Sequence, residues 1–290
     1  MTRAAQRGLR FFRTPKGLML IILVALLGVA APNSAGDGPR LLAAGALAAA
    51  ALDVMIVYGM WGEWAFPSGA LLTGLFIGGL VDPFERVQVV VVIAIAAIFA
   101  KHIVRLGGSH VFNPAALGLV ASSVVFGSGQ SWWAALPDLG AIGVAAVAVS
   151  GWWIARRLNK LPMVATFLGA YLVLFTVTAI AGSPDQVSEV FRSPDLQAAL
   201  FFAFFMLTDP PTSPVRYRDQ AIYGALVAAG SYAVFMQFGV VYFLLAGLLA
   251  GNAVEAGRRT VARRRRRTRS ARARERLEAN AHGAEAARAA

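Results

Sequence analysis

Apolar runs that approach the length of a bilayer crossing recur from one end of this 290-residue chain to the other. A transmembrane helix needs about 20 mostly apolar residues, because each residue advances the helix by only about 1.5 Å. Hydrophobic residues make up 58% of the chain and charged residues only 14%, well below the share of charge in soluble domains. The sequence therefore predicts an integral membrane protein that sits in the lipid bilayer.

Positive charge is concentrated in the two tails. Residues 1–16 carry five basic groups and no acidic group, and residues 258–290 carry twelve Arg and three Glu. Basic tails next to membrane helices are typical of topology anchors or of contacts with anionic lipid, so we expect no nucleic acid partner. We expect residues 258–290 to be disordered or to form a helix on the membrane surface. The chain has no Cys, which excludes disulfides and Cys-bound iron–sulfur clusters within it.

The apolar pattern predicts a membrane domain over residues 17–257 with ten helices. We place these helices near residues 17–34, 41–61, 69–81, 87–105, 114–127, 139–157, 162–182, 196–208, 220–237 and 241–257. The third, fifth and eighth are short, and each adjoins a Pro or an Asn-Pro pair. A cleaved signal peptide is the alternative interpretation of the first segment.

Ten spans place both termini on one side of the membrane. The loops on that side carry more Lys and Arg than the loops on the other side, which is typical of the cytoplasmic side. We therefore expect a multi-pass protein of the plasma (inner) membrane with both termini in the cytoplasm.

Two stretches of the chain share one pattern. "GALLTGLFIGGLVDPFER" and "QAALFFAFFMLTDPPTSPVR" each begin with a short apolar segment that ends at Asp-Pro, and each is followed by a full-length helix and a last apolar segment. The ten helices then divide into repeats of about 17–128 and 139–257, and an odd number of spans per repeat inverts the second copy. The sequence predicts an all-α polytopic membrane protein of about ten transmembrane helices in two inverted five-helix repeats with short or interrupted helices. The alternative is ordinary helices that stop at the membrane surface.

Polar residues at the broken helix ends are candidates for a ligand site. The candidates for binding are Ser68, Thr73, Asn113, Thr208, Asp209, Thr212 and Ser213. Helix capping is the alternative role for each of them.

A second set of residues is predicted to line an ion or solute path. Its members are Asp53, Asp82, Asp209 and Asn252. Asp53 lies inside a span, where a carboxylate is costly and is a functional candidate by default; a hydrogen-bonded structural role is its alternative. We interpret His102 and His110 as ordinary loop residues. No motif of a hydrolytic enzyme is present, and we predict neither catalytic residues nor a metal site.

Several motifs resemble the RnfD/NqrB family of membrane subunits in the Rnf complex and the sodium-pumping NADH:quinone oxidoreductase. They are "SGALLTGLFIGGLVDP", "KHIVRLGGSHVFNPAALGLV", "FFMLTDPPTSPVRYRDQAIYG" and "LLAGLLAGNAV". The resemblance implies ten helices in two inverted halves, a fold similar to urea transporters, and electron transfer coupled to ion movement. It also implies partners, either other subunits of an electron transport complex or a flavoprotein.

The family's covalent flavin mononucleotide (FMN) is carried by a Thr between the Asn-Pro helix and the next span. Here that interval, "ASSVVFGSGQSWWAALPDLG", contains no Thr, and Thr166 in "MVATF" lies within the following span. We therefore expect FMN or riboflavin, where present, to be bound non-covalently. Three alternatives remain open. The protein passes electrons from a partner, it has lost redox chemistry, or it is a channel or transporter for a small polar solute or ion.

Overall fold

The computed structural model describes residues 11–289, except residues 13, 35, 63 and 183. In chain order its main helices are α1 (Pro15–Ala30), α2 (Gly38–Trp61), α3 (Ser68–Leu80), α4 (Val87–Ile103), α5 (Pro114–Phe126), α6 (Gly140–Arg157), α7 (Leu161–Ile180), α8 (Asp195–Met206), α9 (Tyr217–Phe238) and α10 (Phe243–Ala289). A two-stranded hairpin of β1 (Arg105–Leu106) and β2 (Ser109–His110) joins α4 to α5. The prediction of an all-α polytopic membrane protein is confirmed.

Helix length separates the spans into two groups. Within the described residues, five segments are long and apolar enough to cross a membrane: Pro15–Asn33, Gly38–Trp61, Trp133–Arg157, Leu161–Ile180 and Tyr217–Phe238. Four shorter apolar helices accompany them: α3, α4, α5 and α8. The short helices α3, α5 and α8 are the three predicted from the sequence, and α4 is shorter than predicted.

Proline and polar caps set the ends of the short helices. α3 stops before Asp82-Pro83, since a residue that precedes proline disfavours the helical conformation. α5 begins with Pro114, and the side chain of Asn113 accepts a hydrogen bond from the Ala116 N–H. The last turn of α8, Phe202–Met206, widens into a π-helix before Asp209-Pro210.

The helix contacts repeat from one half of the chain to the other. In the first half α1 packs on α3, α2 on α3 and α4, and α4 on α5; in the second half α6 packs on α8, α7 on α8 and α9, and α9 on α10. Across the halves, α1 contacts α6 and α5 contacts α10, so equivalent helices meet each other. This order of contacts agrees with two five-helix repeats, and the inverted relation of the two halves stays a prediction.

Helix α10 continues through the Arg-rich tail to Ala289. We expected this tail to be disordered or a surface helix, and its backbone is helical in the structure. The tail is rich in Ala, Arg and Glu, which are among the strongest helix formers. The basic residues before Phe11 lie outside the described residues, so their predicted role as a topology anchor stays a prediction.

Close backbone approach holds α2 against α3. The carbonyl oxygens of Gly45 and Gly74 occupy the space that a Cβ on the opposite glycine would need. Substitution of Gly74 by Ala is therefore expected to force the two helices apart.

We expect Gly74→Ala to lower the free energy of unfolding by about 1–3 kcal/mol, the usual cost of overpacking. The matched control is Gly59→Ala in α2, where a Cβ would meet no atom within 4 Å. Thermal unfolding in detergent measures both variants, and equal melting temperatures for the two would contradict the close approach.

Candidate functional site: a charged cavity at one end of the bundle

A cavity of about 350 Å³ opens at the end of the bundle where α3 and α5 begin and α4 and α8 end. We call this end the basic end, because Lys101, Arg156, Lys160 and Arg216 lie on its loops or helix ends, and Arg259 of α10 bonds there to the loop after α8. The opposite end, where α3 and α5 terminate, is the far end. The first turns of α3 and α5 line the basic-end cavity, and so does the loop after α8.

Five of the predicted site residues line this cavity. They are Asp53, Ser68, Thr73, Asn113 and Asp209. The structure thus brings together the polar ends of two short helices, a carboxylate from a long span and the second Asp-Pro pair.

Asp53 lies in the buried stripe of α2 and contacts two basic side chains of the cavity wall. Leu41, Gly45, Ala49 and Asp53 recur every four residues, so they share the face that packs on α3 and α4. The Nζ atom of Lys101 donates to Asp53 Oδ1 at 2.8 Å, and the Nε2 atom of His102 lies 2.7 Å from the same oxygen. Both side chains come from the last turn of α4, where the helix dipole favours positive charge such as that of Lys101.

Asp209 forms a second aspartate–histidine pair. Its Oδ2 atom accepts a hydrogen bond from Thr212 Oγ1 at 3.0 Å and lies 3.3 Å from His110 Nε2. The hairpin carries His110 to this position, and its turn contains Gly107 in the left-handed region at a φ of 67°.

The other binding candidates shape the loop around Asp209. Thr208 Oγ1 donates to the Phe204 carbonyl at 2.6 Å, and Ser213 Oγ donates to the Asp209 carbonyl at 2.7 Å. Together with Thr212 they bond within the end of α8 and the turn that follows it. Their hydroxyl groups bond to carbonyls three or four residues earlier in the chain, and their role in ligand binding stays a prediction.

Asn252 and Asp82 lie outside the basic-end cavity. Asn252 joins three helices, because its Oδ1 atom accepts from the Asn113 N–H at 2.9 Å and its Nδ2 atom donates to Tyr223 OH at 2.6 Å. Asp82 lies at the far end, where its Oδ1 atom accepts from the Phe84 N–H. The predicted path of Asp53, Asp82, Asp209 and Asn252 is thus divided between the two ends.

Three site residues were missed by the sequence analysis: Lys101, His102 and His110. A carboxylate inside a span needs a partner, and that rule was the available signal for Lys101 and His102. The Gly-Gly pair in "RLGGSH" was the signal for the hairpin that places His110.

A cluster of charged groups fixes the loop after α8. Lys160 Nζ donates to the Pro214 carbonyl, and Arg259 donates to the carbonyls of Pro211 and Ser213. Glu255 accepts from Arg259 at 2.8 Å, so the loop is tied to α10. Burial lowers the pKa of Lys160 to about 8, and the nearby Arg259 charge acts in the same direction.

Residues 137–243 match the NQR2, RnfD, RnfE family. The match confirms the resemblance predicted from the sequence. It includes the loop with Asp209, Thr212 and Ser213 and ends where α10 begins. No match was found among curated proteins. The match covers 107 of the 290 residues, and together with the apolar helices it points to a multi-pass membrane protein.

We expect the positive charge of Lys101 to stabilise the buried carboxylate of Asp53 in the folded protein. Lys101→Met leaves the carboxylate with His102 alone, and a buried charge that loses a partner costs about 1–3 kcal/mol or more. The double variant Asp53→Leu/Lys101→Met removes both charges and should recover much of that loss. Chemical unfolding in detergent measures the cycle.

The control for this cycle is Arg40→Met. Arg40 pairs with Asp37 at 3.3 Å, but both side chains are mostly exposed, so little change is expected. An equal effect of Lys101→Met and Arg40→Met would show that the Asp53 pair contributes no more than a surface ion pair.

The lowered pKa of Lys160 predicts how the stability of the folded protein changes with pH. Its pKa is about 8 in the folded protein and 10.5 in the unfolded chain. Between these values the unfolded chain holds a proton that the folded protein has released, so stability rises with pH. Melting temperatures from neutral pH to pH 10.5 should therefore rise relative to those of Lys160→Met, and parallel curves for the two proteins would refute the lowered pKa.

Proposed function

We propose that the chain is the membrane subunit of an Rnf/Nqr-type electron transport complex and passes electrons within the membrane, coupled to ion movement. The observation that carries the proposal is the family match over residues 137–243, because the matched region contains the Asp-Pro loop that lines the basic-end cavity. Other subunits of such a complex, or a flavoprotein, are the proposed partners.

In the proposed orientation the protein lies in the plasma (inner) membrane, and its basic end faces the cytoplasm. Lys101, Lys160, Arg216 and the start of the Arg-rich tail lie at that end. Lys and Arg are enriched in cytoplasmic loops, and the anionic inner leaflet attracts them.

The residues of the basic-end cavity fit a non-covalently bound FMN or riboflavin. A volume of about 350 Å³ lies within the usual range for small-molecule sites, about 300–1,000 Å³. Phe66, Phe76 and Phe205 offer apolar walls for a flat ring, and Ser68 and Thr73 offer polar atoms nearby. A flavin bound there would supply one- and two-electron redox chemistry.

The phosphate of FMN would find cations and a helix end in the same cavity. Lys16 and Lys101 line it, and Ser68 and Gly69 form the first turn of α3. Anions bind well at helix N-termini, where backbone N–H groups lack partners within the helix. Asn113 lies at the start of α5 on the other side of the cavity.

Transport of a small polar solute or ion without electrons is the second candidate function. Two observations favour it. The interval from 121 to 140 lacks the Thr that would carry covalent flavin in the family. A second cavity, of about 330 Å³, opens at the far end and is lined by Gln130, Trp132, Asp195 and Phe243.

An absorption spectrum of the purified full-length protein, followed by in-gel fluorescence after denaturation, tests the proposal. We expect a flavin spectrum and a denatured band without fluorescence, because the flavin is held non-covalently. A fluorescent band would reveal covalent attachment. Absence of a chromophore would overturn the electron-carrying role in favour of transport, which flux measurements in liposomes would then examine.

A pair of glycine variants tests where the flavin binds. Gly69→Leu places a side chain in the basic-end cavity, where a Cβ would meet only Lys101 Nζ at 3.6 Å. It should lower the flavin content per protein severalfold. Gly59→Leu adds the same side chain to an open surface of α2 and should retain the flavin. Equal flavin content in the two variants would place the flavin outside this cavity.

A further inference from the structure

We propose that the far-end cavity binds a small organic cation, an alkylammonium group that contacts the carboxylate of Asp195 and the aromatic side chains of the cavity wall. The cavity has a volume of about 330 Å³, which lies within the usual range for small-molecule sites, about 300–1,000 Å³. This inference goes beyond the proposed electron-carrying function, because it concerns the opposite end of the bundle and involves no flavin.

Three aromatic side chains line the far-end cavity: Trp132, Phe235 and Phe243. The rings of Phe235 and Phe243 pack edge to face, with their centroids 5.0 Å apart. The π-electrons of Trp and Phe rings attract an ammonium group, and recognition of alkylated ammonium groups by aromatic walls is a common use of this attraction. The carbon surface of the same rings also suits the alkyl groups of such a ligand.

Asp195 supplies a negative charge that no basic side chain balances. The partly or fully buried carboxylates of Asp53, Asp209 and Asp219 each lie beside a basic side chain. Among the described residues the carboxylate of Asp195 has no such ion pair and accepts no hydrogen bond from a side chain. The start of α8 favours a carboxylate, but a charge that is withdrawn from water into an apolar cavity still gains from a partner. A cation in the cavity would be that partner.

The rest of the cavity is also suited to positive charge. Phe235 and Gly239 place the C-terminus of α9 at the cavity, where the helix dipole is negative, and the last turn of α9 contains no basic residue. None of the described residues that line the cavity is Lys, Arg or His. Arg192 precedes Asp195 by three residues, but its exposed side chain lies 3.9 Å from Glu189.

The wall that carries Trp132 is held in place without a ligand. The Trp132 backbone lies in the left-handed region, at a φ of 53°, which a bulky residue adopts only where its surroundings determine it. The neighbouring Trp133 donates from Nε1 to the Gly78 carbonyl at 3.1 Å, and the Asp82 N–H donates to the Gly129 carbonyl at 3.0 Å. These bonds tie the loop before α6 to the end of α3, so the aromatic wall is formed in advance.

The test is isothermal titration calorimetry of the full-length protein in an uncharged detergent at constant ionic strength. The first probe is choline chloride, and its partner is 3,3-dimethylbutan-1-ol, which has the same shape with a carbon atom in place of the charged nitrogen. Benzyltrimethylammonium chloride is a larger second probe. Fluorescence of Trp132, taken as the difference from Trp132→Phe, reports whether the probe lies in the cavity.

We expect saturable binding of the ammonium probes and about tenfold or weaker binding of 3,3-dimethylbutan-1-ol, because only the ammonium group gains from the carboxylate and the aromatic rings. Asp195→Asn keeps the shape of the side chain and should weaken the binding of choline by a similar factor, whereas Asp195→Glu keeps the charge and should retain part of it. The matched control is Asp138→Asn, an exposed carboxylate at the same end, which should bind choline as the parent protein does. Melting temperatures verify that each variant is folded.

Three results would overturn the proposal. Absence of saturable binding by both ammonium probes would show that the cavity holds no organic cation. Equal affinities for choline and 3,3-dimethylbutan-1-ol would show that the cavity recognises apolar shape alone. Undiminished binding of choline by folded Asp195→Asn would show that the carboxylate is not part of the site.

Two sources carry this chemistry, a dissolved amine and the ethanolamine headgroup of a lipid. Choline titrations in phosphatidylglycerol nanodiscs, with and without phosphatidylethanolamine, separate them. A weaker apparent affinity in the discs that contain phosphatidylethanolamine would assign the cavity to the headgroup, and an unchanged affinity would assign it to a dissolved amine. No readout involves electrons, so a failed electron-carrying role and a failed cation site give different results.

Discussion

The structure depends on one constraint, which is that the ends of three short helices must find partners inside the protein. Lipid offers no hydrogen bonds, so helices α3, α5 and α8 need polar groups from neighbouring elements where they stop. Asn113 caps α5, Asn252 binds the Asn113 N–H, and the Leu80 carbonyl at the end of α3 accepts from the Ser131 N–H. The cavities form where these ends meet, so the capping residues and the cavity walls come from the same short segments.

Sequence reasoning predicted the ten helices well because apolar length and proline breaks are local signals. The breaks at Asp82-Pro83 and Asp209-Pro210 end α3 and α8 as expected. The partners of Asp53 could not be read in the same way, because Lys101 and His102 are 48 and 49 residues away and meet it only through the packing of α4 on α2. The contact of His110 with Asp209 spans 99 residues and depends on the hairpin.

The two repeats build similar cavities with different chemistry. At the basic end, the starts of α3 and α5 meet carboxylates, lysines and a histidine. At the far end, the starts of α8 and α10 contribute Asp195 and Phe243 beside Trp132 and Phe235. Aromatic contacts lead inward from both cavities and meet on α8. Trp132 from the far-end cavity packs on Phe202, and Phe76 from the basic-end cavity packs on the neighbouring Phe201. The two ends of the bundle therefore differ in the side chains that line their cavities.

The tail helix is mechanically connected to the basic-end cavity. Arg259 lies at the start of the Arg-rich segment and donates to two carbonyls of the loop that begins with Asp209. Glu255 holds that guanidinium from one turn earlier on the same helix. Because α10 is continuous through this point, the loop that positions Asp209 is bonded directly to the helix that forms the tail. The hydrogen bonds that hold the loop after α8 therefore also connect the basic-end cavity to the tail, which carries twelve of the 27 Lys and Arg residues.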